Sequence, residues 1–169
     1  YKLVFNNSEV IILSKHLYPD IKKYVNKNKL HICFNGVQDF DPKDYKTQNQ
    51  VVEILFLSNL IESKGVYILL EACKLLIKNK ISFKCKFVGG EGDVSEDQFN
   101  SKIKKLHLQN CVDYVGKKYG RDKEEFFSKA DIFAFPTYYH NECFPLVLLE
   151  AMQFSLPIVS TFEGGISDI

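Results

Sequence analysis

The chain has 169 residues, 46% of them hydrophobic and 25% charged, with a formal net charge of +1. That length supports one domain with a full core and a piece of a neighbour, and the composition is that of an ordinary soluble globular protein. The balanced charge argues against the broad basic surface that a nucleic-acid partner needs, and no apolar run approaches the length of a membrane span.

Short apolar runs alternate with longer segments of helical period. Val10–Leu13 predicts a first strand, residues 15–27 a helix and Leu30–Phe34 a second strand. The polar stretch Asn35 to Gln50, with Gly36, Pro42 and several aspartates, reads as an interdomain linker. Residues 1–50 are therefore expected to be the end of a preceding domain plus its linker, and 51–169 the main domain, truncated at its C-terminus. Strands follow at Glu53–Ser58, Phe83–Val88, Cys111–Val115, Asp131–Phe135 and Leu156–Ser160, with helices near 64–79, 96–107, 121–129 and 145–154. In the first of these helices Val66, Leu69, Leu70, Cys73, Leu76 and Ile77 form one apolar stripe. Strands alternating with helices of this length predict an α/β fold, a Rossmann-like parallel sheet with helices on both faces.

Five scattered cysteines without a Cys-x-x-Cys pair predict free core thiols in a reducing compartment. The chain opens on Tyr1, without a signal-peptide pattern, and stops shortly after a glycine pair, so it reads as a fragment of a longer protein.

In an open α/β sheet, ligands bind beyond the carboxyl ends of the strands. After the strand ending at Ser58, the turn closes with Ser63, Lys64 and Gly65. Ser63 as N-cap, the free amides of a helix start and a lysine would suit a phosphate; a solvated lysine beside a packing glycine is the plainer reading. Gly90 and Gly92 do not make a dinucleotide fingerprint. Ser95 stands where a third glycine is wanted, and the acids that follow would repel a pyrophosphate. Ser95 with Gln98 instead predicts a capping box.

The segment FPTYYHNECFPLVLLEAMQFSLPIVS is richest in chemistry. Pro145 suits the first turn of a helix, where its missing N–H is not needed. Glu150 lies about one and a half turns on, roughly 7 Å along the axis, on a helix otherwise almost free of charge. A carboxylate there needs a partner. Spacing alone leaves two open, the hydroxyls of a ribose bound near the helix start or a lysine inside the fold. The four histidines have no metal-ligand spacing, and there is no nucleophile elbow or Walker-type loop.

Glu142 and Glu150, seven residues apart within ECFPLVLLEAM and followed by SLPIVST and GGISDI, resemble the Glu-(seven residues)-Glu motif of retaining glycosyltransferases of the GT-B fold, group 1 (family 4) class. ILFLSNLIESKGVYILLEA is similar to that family's donor-phosphate segment, VDYVGKKYGRDKEEFFSKADIFAFPT to its central stretch and ICFNGVQDF to its interdomain segment, all in the right order. The resemblance implies transfer of a sugar from a nucleotide diphosphate to a glycan or glycolipid acceptor, with retention and without a metal or other cofactor. Lys64 would neutralise the diphosphate, Glu142 face the sugar near its reacting carbon, and Glu150 hold the ribose. Amides around Phe144 and Leu146 would meet the β-phosphate or sugar, and Gly116, with Val115 and Lys117, would border the base. This chain departs from the family at Asn59, where an arginine is common, and at Cys143 and Pro145, which replace glycines; Pro145 also removes an amide donor. The partners so implied are a nucleotide-sugar donor, an acceptor and an N-terminal acceptor domain not included here, with no nucleic acid. The implied setting is bacterial and cytoplasmic, with peripheral attachment to the inner face of the membrane open. The other readings are a Rossmann module of an oxidoreductase or epimerase, and a non-catalytic binding module.

Overall fold

The computed structural model describes residues 2–5, 7–39 and 50–169. Its elements in chain order are α1 (Lys2–Phe5), β1 (Val10–Ile12), α2 (Tyr18–Ile21), β2 (Leu30–Ile32), β3 (Val52–Leu57), α3 (Val66–Lys78), β4 (Phe83–Val88), α4 (Glu96–Lys105), β5 (Val112–Gly116), α5 (Gly120–Lys129), β6 (Ile132–Phe135), α6 (Leu146–Gln153) and β7 (Ile158–Ser160). All seven expected strands are present. They form two parallel sheets, β1-β2 and the five-stranded β5-β4-β3-β6-β7.

The strand order contains a reversal. From β3 the chain steps outward to β4 and β5, then crosses back to β6 and steps outward the other way to β7. With right-handed crossovers, that reversal puts the helices of the two halves on opposite faces. Side-chain contacts agree: Lys102 of α4 reaches Glu71 and the Tyr67 ring of α3, whereas Phe127 of α5 stacks on Phe154 after α6 with centroids 5.3 Å apart. The central strand β3 is thus covered on both faces, and Ile54, Leu55 and Phe56 are buried in it. Phenylalanines fill much of the core, with Phe56–Phe87 and Phe87–Phe99 centroids at 5.1 and 4.8 Å; such rings add specific packing to a large apolar burial.

Local signals explain most boundaries. Ser95 and Gln98 make the reciprocal capping box that opens α4. In α3, Val66, Leu69, Leu70 and Cys73 are buried as the stripe requires, Leu76 packs against the core, but Ile77 is 44% exposed. The single helix expected over 15–27 is not formed. Ser14 caps a 3-10 turn at Lys15–Leu17, α2 lasts one turn with Pro19 in it, and a second 3-10 turn occupies Lys27–Lys29. The cysteine reading needs correction too: all five thiols are free, but only Cys73 and Cys85 are buried, while Cys33 and Cys143 are exposed. Burial pushes the Cys85 thiol well above its usual pKa, reinforced by a hydrogen bond with Cys73.

The segment that holds β1 and β2 is tied to the larger sheet through the chain's last residues. Ser14 Oγ donates to Asp168 Oδ2 at 2.6 Å, and Lys15 Nζ lies 3.2 Å from Oδ1. Of the linker expected at 35–50, residues 40–49 lie outside the described residues. Its first part lies along α6, where Gln153 Nε2 donates to the Gln38 carbonyl at 2.6 Å. No helix among the described residues is long and apolar enough to cross a membrane.

Candidate functional site

Open α/β sheets bind ligands in the crevice beyond the carboxyl ends of the strands at a switch in strand order, here β3 and β6. Two segments meet there, the turn 58–65 after β3 and the loop 136–145 after β6. Lys64 Nζ donates to Glu142 Oε2 at 2.6 Å, with the two side chains only 14% and 7% exposed. The ammonium also lies 4.6 Å from the Tyr139 ring centroid and 5.6 Å from that of Phe135, contacts favoured by the ring quadrupole. Thr137, with no exposed surface, puts its Oγ1 3.3 Å from the same Glu142 oxygen.

Two glycines allow this convergence. Gly65 has φ +89, and a Cβ there would stand 2.2 Å from the Pro136 carbonyl oxygen. Gly164 has φ +54, and a Cβ there would stand 1.6 Å from the Glu142 carbonyl oxygen. Both positions need the left-handed backbone and the missing side chain together. Gly65 also overturns the Ser63 cap. Ser63 sits inside a 3-10 turn, Glu62–Lys64, and α3 follows Gly65 with no side-chain cap. The Ser63 carbonyl instead accepts from the Tyr138 amide at 2.8 Å, which ties the two loops together.

Glu150, on α6, accepts from Lys123 Nζ of α5 at 2.7 Å, both side chains being 26% exposed. Of the two partners left open by its spacing, the lysine is present. A cleft of about 330 Å³ adjoins this pair, lined by Val37, Gln38, Asp39, Glu150 and Gln153 among others. Pro145 stands one position before the expected first turn: it is the N-cap of α6, with φ −70 and ψ 112. Leu146 is exposed, whereas Phe144 is buried, its ring 5.6 Å from Phe34 and its carbonyl 3.4 Å from Asn35 Nδ2.

Asn59 follows β3 and Gly116 ends β5, with β4 between the two strands. The Asn59 Oδ1 accepts from the Gly90 amide at 3.1 Å, bracing the turn after β4. Gly116 closes β5 with φ +77 and open space where a Cβ would be. The Gly90–Gly92 turn is structural: a Cβ on Gly92 would sit 2.7 Å from the Leu60 carbonyl oxygen, and the capped α4 follows. Lys64 and Glu142 are thus brought together, Glu150 pairs with Lys123 of α5, and Asn59 and Gly116 lie at the carboxyl-end side of the sheet, after β3 and at the end of β5. From the sequence, the loop Thr137–Asn141 is expected to help read the sugar, but no role falls to Thr137 or Tyr139 individually. A lone threonine and one aromatic in a polar loop carry no periodic or motif signal.

Comparison with known proteins agrees with this architecture. The family model for "Glycosyl transferases group 1" matches residues 37–169. The chain is 28% identical over 177 residues to the amylovoran biosynthesis glycosyltransferase AmsK of Erwinia amylovora, covering 100% of this chain and 43% of AmsK. It is 23% identical over 183 residues to the capsular polysaccharide biosynthesis glycosyltransferase CapM of Staphylococcus aureus, covering 98% of this chain and 46% of CapM. The chain spans less than half the length of these curated relatives. Anabaena Alr3699/HepE, solved in complex with UDP and glucose, superposes with a TM-score of 0.76 at 22% identity, over 95% of this chain and 46% of that one. Its fold is that of the GT-B glycosyltransferases among its structural neighbours, and the chain belongs to the group 1 glycosyltransferase family.

Proposed function

We propose that this chain is the donor-binding, C-terminal half of a retaining, family 4 glycosyltransferase, with residues 1–50 the end of an acceptor domain and its linker. The observation that carries the reading is the Lys64–Glu142 pair, held at 2.6 Å in the crevice at the switch between β3 and β6. Lys64 meets the donor diphosphate, leaving Glu142 to face the sugar. A cation there counters charge on the leaving diphosphate while the sugar becomes oxocarbenium-like. The amides of Phe144 and Leu146, at the start of α6, contact the β-phosphate or the sugar, although Pro145 between them offers none. Glu150 exchanges Lys123 for, or shares it with, the ribose hydroxyls, and Gly116 borders the base. Asn59 replaces a second cation, so the diphosphate is less fully neutralised. No metal or other cofactor enters the reaction.

The acceptor is a glycan or glycolipid, a reading supported by the polysaccharide-biosynthesis names of AmsK and CapM. The protein works in the cytoplasm or peripherally at the inner face of the membrane. Isolated, this chain binds the donor weakly and transfers little sugar, because the acceptor side of the cleft lies in the other domain; robust transfer by the chain alone would overturn that expectation.

Thermal-shift titration with UDP, GDP, ADP and NAD tests the donor-site reading. A nucleoside diphosphate that raises Tm in the wild type and does so less in Lys64→Ala and Glu150→Ala supports it. Stabilisation by NAD alone would replace it with an oxidoreductase reading.

A further inference from the structure

Glu142 uses its two carboxylate oxygens unequally. Lys64 Nζ at 2.6 Å and Thr137 Oγ1 at 3.3 Å both contact Oε2. Oε1 has no hydrogen-bond partner among the described residues, and no side-chain oxygen among them is fully buried without one, so Oε1 keeps some exposed surface. One oxygen is clamped and the other presented.

Thr137 is unusually well placed to do the clamping. It is fully buried, and its carbonyl accepts from Thr161 Oγ1 at 2.6 Å, beyond β7. Its own hydroxyl accepts from the Tyr139 amide at 3.2 Å and has one proton to give, with Ser63 O at 3.4 Å and Glu142 Oε2 at 3.3 Å in range. The carboxylate is the stronger acceptor of the two, since charge-assisted bonds are about twice as strong as neutral ones. A carboxylate held only by Lys64 could rotate about its terminal torsion, which is broad. A second donor on the same oxygen fixes the plane and with it the direction of Oε1.

We infer that Thr137 is a positioning residue for donor-sugar recognition: it orients Glu142 so that Oε1 accepts a hydroxyl of the transferred sugar. This rests on the proposed donor-site function and adds the group that fixes its sugar-facing carboxylate. Thr137 Oγ1 bonds to Glu142 and the Ser63 carbonyl, not to Lys64, so its loss is expected to act on the sugar and not on the diphosphate.

The test compares UDP with UDP-glucose, and GDP with GDP-mannose, by calorimetric titration of this chain and of the full-length protein. Thr137→Val keeps the shape and removes the hydroxyl, while Thr137→Ser keeps the hydroxyl. The wild type is expected to bind one sugar nucleotide more tightly than its bare diphosphate. Thr137→Val should lose about tenfold of that preference, the size of a hydrogen bond to a charged group, with diphosphate affinity unchanged and the preference restored in Thr137→Ser. On a Glu142→Gln background Thr137→Val should add nothing further. If Thr137→Val does not fold, Thr137→Cys, with a weak thiol donor, takes its place. An unchanged preference, or an equal fall for diphosphate and sugar nucleotide, overturns the inference. A wild type that binds none of the four compounds and shows no thermal shift with ADP overturns the donor-site reading itself, and this inference with it.

Discussion

Two lysine–carboxylate pairs, whose glutamates lie eight positions apart in the chain, are alike in distance, 2.6 Å for Lys64–Glu142 and 2.7 Å for Lys123–Glu150. Their surroundings differ. The first joins two loops, is walled by aromatic rings and is almost fully buried; the second joins two helices and is about one quarter exposed. Burial makes breaking the first pair costly, because the remaining charge has no water to turn to. The second can release its partner to solvent or to a ligand at little cost. One pair therefore joins the loops after β3 and β6 and the other is exchangeable, as the proposed ribose-binding role of Glu150 requires.

The largest effect expected from breaking this contrast comes from Lys64→Met. It should destabilise the chain by about 3–5 kcal/mol, the cost of an orphaned buried charge. Adding Glu142→Gln should recover much of that loss in urea denaturation. A single-mutant cost below about 1 kcal/mol would put the pair in the class of surface bridges. Gly65→Ala comes next: the left-handed backbone alone costs on the order of 1–3 kcal/mol, and the Cβ would also meet the Pro136 carbonyl. It should lower Tm and displace Lys64 from Glu142; an unchanged Tm would mean that the two loops are not packed as described. For Glu150→Ala about 0–1 kcal/mol is expected, with a clear loss of nucleotide affinity, so that binding and stability separate at this site and not at Lys64.

The smallest effect concerns a third charged contact, at Asp168. The Ser14 hydroxyl first, then Lys15 and His16, hold its carboxyl below its ordinary range against an opposing desolvation effect. A carboxyl depressed in the folded state stabilises above its unfolded pKa, and that contribution is lost as pH falls through the folded value. Acidification below the ordinary carboxylate range should therefore loosen the tether of residues 10–17, seen as faster amide exchange there. Ser14→Ala should move the carboxyl's titration upward in NMR; no movement would mean the hydroxyl is not its main partner.

Most of the fold was legible because period and burial coincide in a parallel sheet. Buried strands such as Val52–Leu57 read as apolar runs, and α4 announced itself through Ser95 and Gln98. Over 15–27 Leu17, Ile21 and Val25 keep a helical spacing, but Pro19 stands within the single α-helical turn that does form, and the α-helix does not continue past Ile21. At the site, residue types at motif spacing pointed to Lys64, Glu142 and Glu150, but not to their partners. Ser63 looked like a cap because a serine before a helix is a common one; the close approach of Pro136 demanded a glycine conformation there instead.

The sequence by itself determined the alternation of strands and helices, the membership of Lys64, Glu142 and Glu150 in one motif order, and the absence of a dinucleotide fingerprint, since all three depend on neighbours along the chain. Only the tertiary structure decided that Lys64 meets Glu142, that Lys123 meets Glu150, and that Thr137 shares the clamped oxygen. Those contacts join residues 78, 27 and 5 positions apart. The first and third arise in the loops after β3 and β6, where the strand order reverses, and that reversal is a property of how the sheet is assembled; the second joins α5 to α6 and depends on how those two helices are packed.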